Sequence, residues 1–306
     1  MKTEKGKKIL LFSIITVAVL VLGAGGYIWQ AITSTVVSIQ EDIDRAKSEK
    51  RLEEINFEDG DPISVLLMGI DDPQSRQDPG RADTLILLTI NPHQESINMV
   101  SIPRDTYTDI IGGGSKGKIS HAHAIGGSTM MIRTVEDFLD VPVDYFVKVN
   151  MDSFSGIVDA IGGIEVDNEF DFTFHDKDYP QGTITLDGEE ALGYARMRHE
   201  DPRGDFGRQE RQRQVIEAVI EKGSSISSAT KFTDIFEVVE DNVKTNVTLD
   251  DLWNIHSSYR EAINHKEQLQ IEGENQKIDG YYHYIPDEKQ LNMLSEKLKT
   301  HLELSE

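Results

Sequence analysis

The chain has 306 residues, no cysteine and a formal charge of -23. Without cysteine there are no disulfides, thiolate metal sites or cysteine nucleophiles, and so acidic a protein is repelled by nucleic acid. The chain beyond its first thirty residues is still long enough to bury an ordinary hydrophobic core.

Lys2, Lys5, Lys7 and Lys8 precede a run, 9–28, with no charged side chain and, apart from Tyr27 near its end, only Ser13 and Thr16 hydroxylated. At about 1.5 Å per residue it spans roughly 30 Å, one bilayer core. The basic flank places the N-terminus in the cytoplasm and the rest outside. A cleaved signal peptide shares that start, but its apolar stretch is usually about 7–15 residues. Here Tyr27 and Trp29 close the run, as aromatics do at a membrane interface. The expected organisation is therefore 1–8 cytoplasmic, 9–30 a transmembrane signal anchor, 31–58 an extracellular stalk and 59–306 one extracellular domain. The stalk is rich in charge, with Val36, Ile39, Ile43 and Ala46 at helical spacing.

Segments 63–70, 85–90 and 96–102 read as short strands, the first two nearly continuous in apolar residues and so covered on both faces. A helix is expected over 121–139, a strand over 145–149 and a helix over 154–161 that stops at Gly162-Gly163. This alternation predicts an α/β fold, an α-β-α layered domain with helices on both faces of a central mixed sheet. The second half reads as mostly helical. One helix opens at Asp187 as N-cap and runs to the first arginines. Others cover 209–222, with Val215, Ile216, Val219 and Ile220 as buried stripe, then 229–239, 249–259 and 287–302, with a strand over 281–285.

Four constellations carry chemistry. Asp71 follows the first strand, and Arg81 and Asp83 precede the second. If those strands pair through the intervening loop, the carboxylates share one rim of the sheet. They then serve either as hard ligands for magnesium beside a phosphate or as turn caps. In Ser101-Ile-Pro-Arg104-Asp105, Pro103 fixes the chain as it leaves the strand and aims Arg104, for an anion or for a surface ion pair. Lys118 stands just ahead of a helix N-terminus, where free amides add to its pull on phosphate. His121 and His123 form a lone His-x-His, readable as half a zinc site or as histidines bonded locally at the helix start.

The fourth is an arginine block. Six of thirteen arginines, Arg196, Arg198, Arg203, Arg208, Arg211 and Arg213, fall within eighteen residues. Arg196 and Arg198 converge if the helix ends between them, and Arg208, Arg211 and Gln212 share one helical face. Internal pairing with Asp201, Asp205 and Glu210 competes with the reading that these forks hold a compact anion such as pyrophosphate.

Leu66-Leu-Met-Gly-Ile-Asp71, Arg81-Ala-Asp83-Thr-Leu, Ser101-Ile-Pro-Arg104-Asp105, Lys118-Ile-Ser-His121-Ala, Tyr194-Ala-Arg196-Met-Arg198 and Gly207-Arg208-Gln-Glu-Arg211-Gln212 together resemble the LytR-CpsA-Psr family over 61–222. The resemblance implies a Gram-positive enzyme anchored in the cell membrane as a single-pass type II protein. Such an enzyme moves a glycopolymer, here most simply wall teichoic acid, from undecaprenyl pyrophosphate to the C6 hydroxyl of N-acetylmuramic acid in peptidoglycan. It implies Mg2+, or Mn2+ in its place, at Asp71 and Asp83. Pyrophosphate contacts then come from Arg104, Arg196, Arg198, Arg208 and Gln212, with Arg81, Lys118 and Arg211 joining them as cations. Asp71, with Asp105 as second choice, is the expected acceptor of the hydroxyl proton. Ser120 stands where the family often has asparagine. The rivals are a lipid-pyrophosphate hydrolase and a non-catalytic scaffold or sensor that binds lipid-linked polymer.

Overall fold

The computed structural model describes residues 37–304 other than 44, 46, 72–78, 151–153, 225–237, 239 and 241. The apolar run 9–28 and, apart from Val238, the helix expected over 229–239 lie outside these residues. Among the described residues no helix is long and apolar enough to cross a membrane.

Six strands form the central sheet. β1 (Ile63–Asp71), β2 (Arg81–Asn91) and β3 (Ser96–Ser101) make an antiparallel meander, and two three-residue strands follow, β4 (Tyr107–Asp109) and β5 (Lys116–Lys118). Helix α1 (His121–Leu139), which leaves helical geometry at Gly126 and Gly127, crosses to β6 (Tyr145–Asn150), parallel to β1. Then come α2 (Phe154–Ala160), β7 (Ile164–Asn168), β8 (Phe172–Phe174), β9 (Lys177–Tyr179), β10 (Gly182–Leu186), α3 (Gly188–Arg196) and α4 (Asp205–Ser224). The chain continues through β11 (Val243–Thr245), α5 (Leu249–Ser258), β12 (His265–Gln270), β13 (Gly273–Ile278), β14 (Tyr281–Pro286) and α6 (Glu288–His301). Sheet order is β11-β6-β1-β2-β3-β12, with β12 parallel to β3 and β11 antiparallel to β6, so the sheet is mixed as expected.

Alternate residues of β1 to β3 face two cores, the pattern of a sheet covered on both sides. Leu66, Met68, Leu85, Leu87 and Val100 pack with Met131 and Val135 of α1 and Leu294 and Leu298 of α6. On the other face Ile86, Leu88, Ile97 and Met99 meet Ala262 and, from α4, Ile216. A separate core joins α2, α3, α4 and β7 to β10 around Phe172, Tyr179 and Tyr194.

Two expectations need correction. The second half is not mostly helical, since β7 to β14 all lie in it. β12 was hidden because His265-Lys-Glu-Gln-Leu-Gln270 has almost no apolar signal. It is an edge strand, where charge guards against further pairing. The described part of the stalk is not a free spacer. Ile43 is buried in the main core, Arg45 pairs with Glu136 at 2.6 Å, and Arg51 pairs with Asp144 at 2.5 Å. Its basic residues answer acidic ones on the domain.

Candidate active site

The cleft forms where β1 hands over to β2. The strands are antiparallel and Asp71 lies opposite Arg81. Between the pairs Gly69 with Thr84 and Ile70 with Ala82, Asp83 is one residue too many and has no partner across the ladder. Such a bulge bends the strand and re-aims a side chain. Both carboxylates thus do stand on one rim, lining a cleft of ≈ 500 Å³.

Arg104 and Asp105 are the central residues of a turn closed by Thr106 N–H donating to Pro103 O at 2.9 Å. The turn puts Arg104 Nη1 3.0 Å from Asp83 Oδ2 and Asp105 Oδ1 2.6 Å from Lys118 Nζ. Main-chain bonds hold these pieces in register. Ser120 N–H donates to Arg104 O (3.2 Å), Ala82 N–H to Ser120 O (3.4 Å), and Ile119 N–H to Thr106 O (2.8 Å). Because the links at Ser120 use its backbone, serine makes them as well as asparagine would.

The arginine block stands next to this rim, where Arg208 feels the charges of Arg104 and Asp83. α3 begins at Asp187, whose carboxylate caps Glu190 N–H in a reciprocal capping box, and ends at Arg196. The exposed Arg196 and Arg198 flank the buried Met197. Arg198 Nε comes within 3.9 Å of Asp205, which also pairs with Arg208 Nη2 at 2.8 Å. The Arg208 side chain is only 11% exposed, and its Nε has no hydrogen-bond partner among the described residues. Burial, opposed by Asp205 but reinforced by Arg104 and Arg198, holds its guanidinium below the usual arginine range. At Arg104 burial is again the largest single influence against the charge, but Asp83 and Asp105 together outweigh it and raise its pKa. A half-satisfied buried cation beside two others is a place for a multivalent anion.

Arg211 is not part of this. Buried beneath the rings of Phe172 and Tyr194, it pairs with Asp201 at 2.5 Å and donates to the carbonyls of Tyr194 and Met197. Arg203 likewise holds Asp201 and Glu169, and Arg213 pairs with Glu210 and Ser101. For these three the internal-pairing reading is the right one. Gln212 is buried one turn beyond Arg208.

His121 lines the cleft, while His123 is buried with Nδ1 2.9 Å from Gly80 O, so its bond runs not locally at the helix start, as expected, but across to the chain just ahead of β2. Burial, with Arg81 and Lys118 nearby, lowers the His121 pKa. Tyr281 and His283 of β14 also line the cleft. Sequence reasoning missed them. The Asp279-Gly280 pair is a hairpin signal, but nothing local says which surface that hairpin covers.

A family model for the LytR_cpsA_psr family matches residues 26–300. The chain belongs to the LytR-CpsA-Psr family. Among LytR-CpsA-Psr proteins it is 54% identical, over 98% of both chains, to a Bacillus subtilis protein named polyisoprenyl-teichoic acid–peptidoglycan teichoic acid transferase TagU. A Halalkalibacterium halodurans protein of the same name is 46% identical over 95% of this chain and 96% of its own. The crystal structure of B. subtilis TagU superposes with a TM-score of 0.66 at 52% identity, covering 80% of this chain and 98% of that one. TagT bound to LI-WTA gives a TM-score of 0.71 at 32% identity, covering 85% and 97%.

Proposed function

We propose that the chain is a cell-membrane-anchored phosphotransferase with its domain outside the cell. It attaches a lipid-pyrophosphate-linked anionic polymer, wall teichoic acid, to the C6 hydroxyl of N-acetylmuramic acid in peptidoglycan. The observation that carries this is the meeting of Arg104, Arg198 and Arg208 around Asp83 and Asp205 at the sheet rim. The names of the relatives support the polymer and acceptor class. The lysines before the apolar run 9–28 support this topology, and the donor's lipid would place it within reach of a domain held at the bilayer.

Breaking a pyrophosphate builds negative charge on the departing phosphate. Arg104, Arg198 and Arg208 meet that charge with preset donors, and Arg81 and Lys118 extend the positive wall. Arg196 and Gln212 continue the same segments. Asp83, Asp105 and Asp205 keep the cations oriented before substrate arrives. Attack by a sugar hydroxyl then depends mainly on position, with Asp71 taking its proton and Asp105 next in line. Asp71 and Asp83 are two hard oxygen donors on one cleft wall, and no group of three acidic or histidine side chains among the described residues could hold a metal alone. That partial shell fits Mg2+, or Mn2+, which completes its sphere with water and phosphate oxygens. When bound it would neutralise charge on the transferring phosphate.

The test is product analysis with full-length protein in micelles, a lipid-pyrophosphate-linked sugar and peptidoglycan oligomers, with and without magnesium. A magnesium-dependent phosphodiester on the oligomers, lost in Arg104→Ala, supports the transferase. Free sugar phosphate with untouched oligomers would make it a hydrolase, and binding without turnover a scaffold.

A further inference from the structure

The hairpin β13–β14 lies beyond every motif that carries the family resemblance, yet it forms one wall of the cleft. Ile278 pairs with Tyr281, so Asp279 and Gly280 are a two-residue turn, both with positive φ (51° and 85°). That is the turn that suits a twisted hairpin, and it fixes Tyr281 at the first strand position after it. The hairpin is bolted to the active-site turn, because Tyr284 N–H donates to Asp105 O at 2.9 Å and the Tyr284 side chain is buried in the main core. Alternation along β14 sends Tyr281 and His283 to one face and Tyr282 and Tyr284 to the other. Tyr107 meets His283 edge to face, with centroids 5.0 Å apart. Tyr281 itself is 71% exposed at the cleft mouth.

Of the two exposed tyrosines at this hairpin only Tyr281 lines the cleft, and a tyrosine offers an apolar face with a polar tip. A pyranose ring is its complement, with one face of C–H groups and a rim of hydroxyls. The anionic donor has its own wall of arginines, and a prenyl tail would not suit a rim containing Asp105, Lys118 and His283. We propose that Tyr281, supported by His283 and Tyr107, is the acceptor subsite: a platform on which one sugar of a peptidoglycan glycan strand stacks, presenting its hydroxyl to the cleft. This rests on the transferase reading and adds to it the residues that select a glycan over water.

Two measurements on the full-length protein in micelles separate the ideas. The first is KM for peptidoglycan oligomers together with Kd for a short polyprenyl-pyrophosphate sugar, in wild type, Tyr281→Ala, Tyr281→Trp and Tyr282→Ala. The expected result is a KM raised about 10-fold in Tyr281→Ala, restored in Tyr281→Trp and unchanged in Tyr282→Ala, with donor Kd constant throughout. An unchanged KM in Tyr281→Ala would overturn the proposal. So would an equal effect of Tyr282→Ala, which would mean general damage to the hairpin, or a weaker donor Kd, which would place Tyr281 in the donor site. The second is saturation-transfer NMR of the oligomers alone, which needs no turnover. Contact seen in wild type and lost in Tyr281→Ala supports the subsite even if the transferase reading fails. Contact that survives the substitution refutes it.

Discussion

Arg208 and Arg211 stand almost one turn apart on α4 and face different tasks. Arg211 is fully committed, to Asp201 and two carbonyls, and its removal leaves those carbonyls unpaired and the buried Asp201 carboxylate with only the partly exposed Arg203 as a counter-ion. Arg211→Ala should therefore lose about 3–5 kcal/mol of stability in urea unfolding. Arg208→Ala should stay close to wild type in that measurement and lose donor binding instead. The sequence shows that arginines and aspartates are interleaved here, and hence that an ionic cluster forms. It does not show which pairs form, because Asp201 and Asp205 flank the helix start and the partner of each depends on how the 201–205 loop closes. The same holds at Asp83, whose exposure to the cleft comes from a bulge that no residue type announces. By contrast Pro103-Arg104-Asp105 was legible because proline fixes the chain locally.

The segment Ile39 to Phe57 behaves as part of the domain. Asp144, reached by Arg51, also accepts from Ser64 N–H (2.8 Å) and Ser64 Oγ (2.9 Å), so it ties the segment to the start of β1. A protein lacking residues 1–53 should be less stable than one lacking 1–36 by about 3 kcal/mol or more, roughly 6–12 °C in calorimetry for a domain of this size. Equal melting temperatures would show that the segment is an ornament. Its helical spacing and alternating charge looked like a spacer, since partners such as Glu136 and Asp144 lie far along the chain. The strands of the central meander and helices α1, α3, α5 and α6 were legible from hydrophobic period and caps. The short strands β7 to β10 were not, because three to five residues carry too little pattern.

The whole molecule should weaken in mild acid. His301 is buried, with Nδ1 2.7 Å from Thr89 Oγ1 and Nε2 2.9 Å from Ser96 Oγ, tying α6 to β2 and β3. Burial lowers its pKa, as it does for His121 together with Arg81 and Lys118. The unfolded chain then binds these protons more readily, so stability is greatest above the ordinary histidine value and falls as pH drops below it. His93, raised by Glu303, acts in the opposite sense, but that pair is exposed and screened. Melting temperature should fall between pH 7.5 and 5.5, and the fall should be smaller in His301→Gln. The layered fold, one sheet with charged loops at its rim, is what lets this stability coexist with an under-satisfied arginine at the cleft. The most direct measurement is calorimetric titration of the full-length protein in micelles with a short polyprenyl pyrophosphate, for wild type, Arg104→Ala, Arg208→Ala and the exposed Arg133→Ala. Affinity about 10- to 100-fold weaker in the first two variants, with Arg133→Ala unchanged, is the predicted result. Equal affinity in all four proteins would mean that the arginine cluster is not where the pyrophosphate binds.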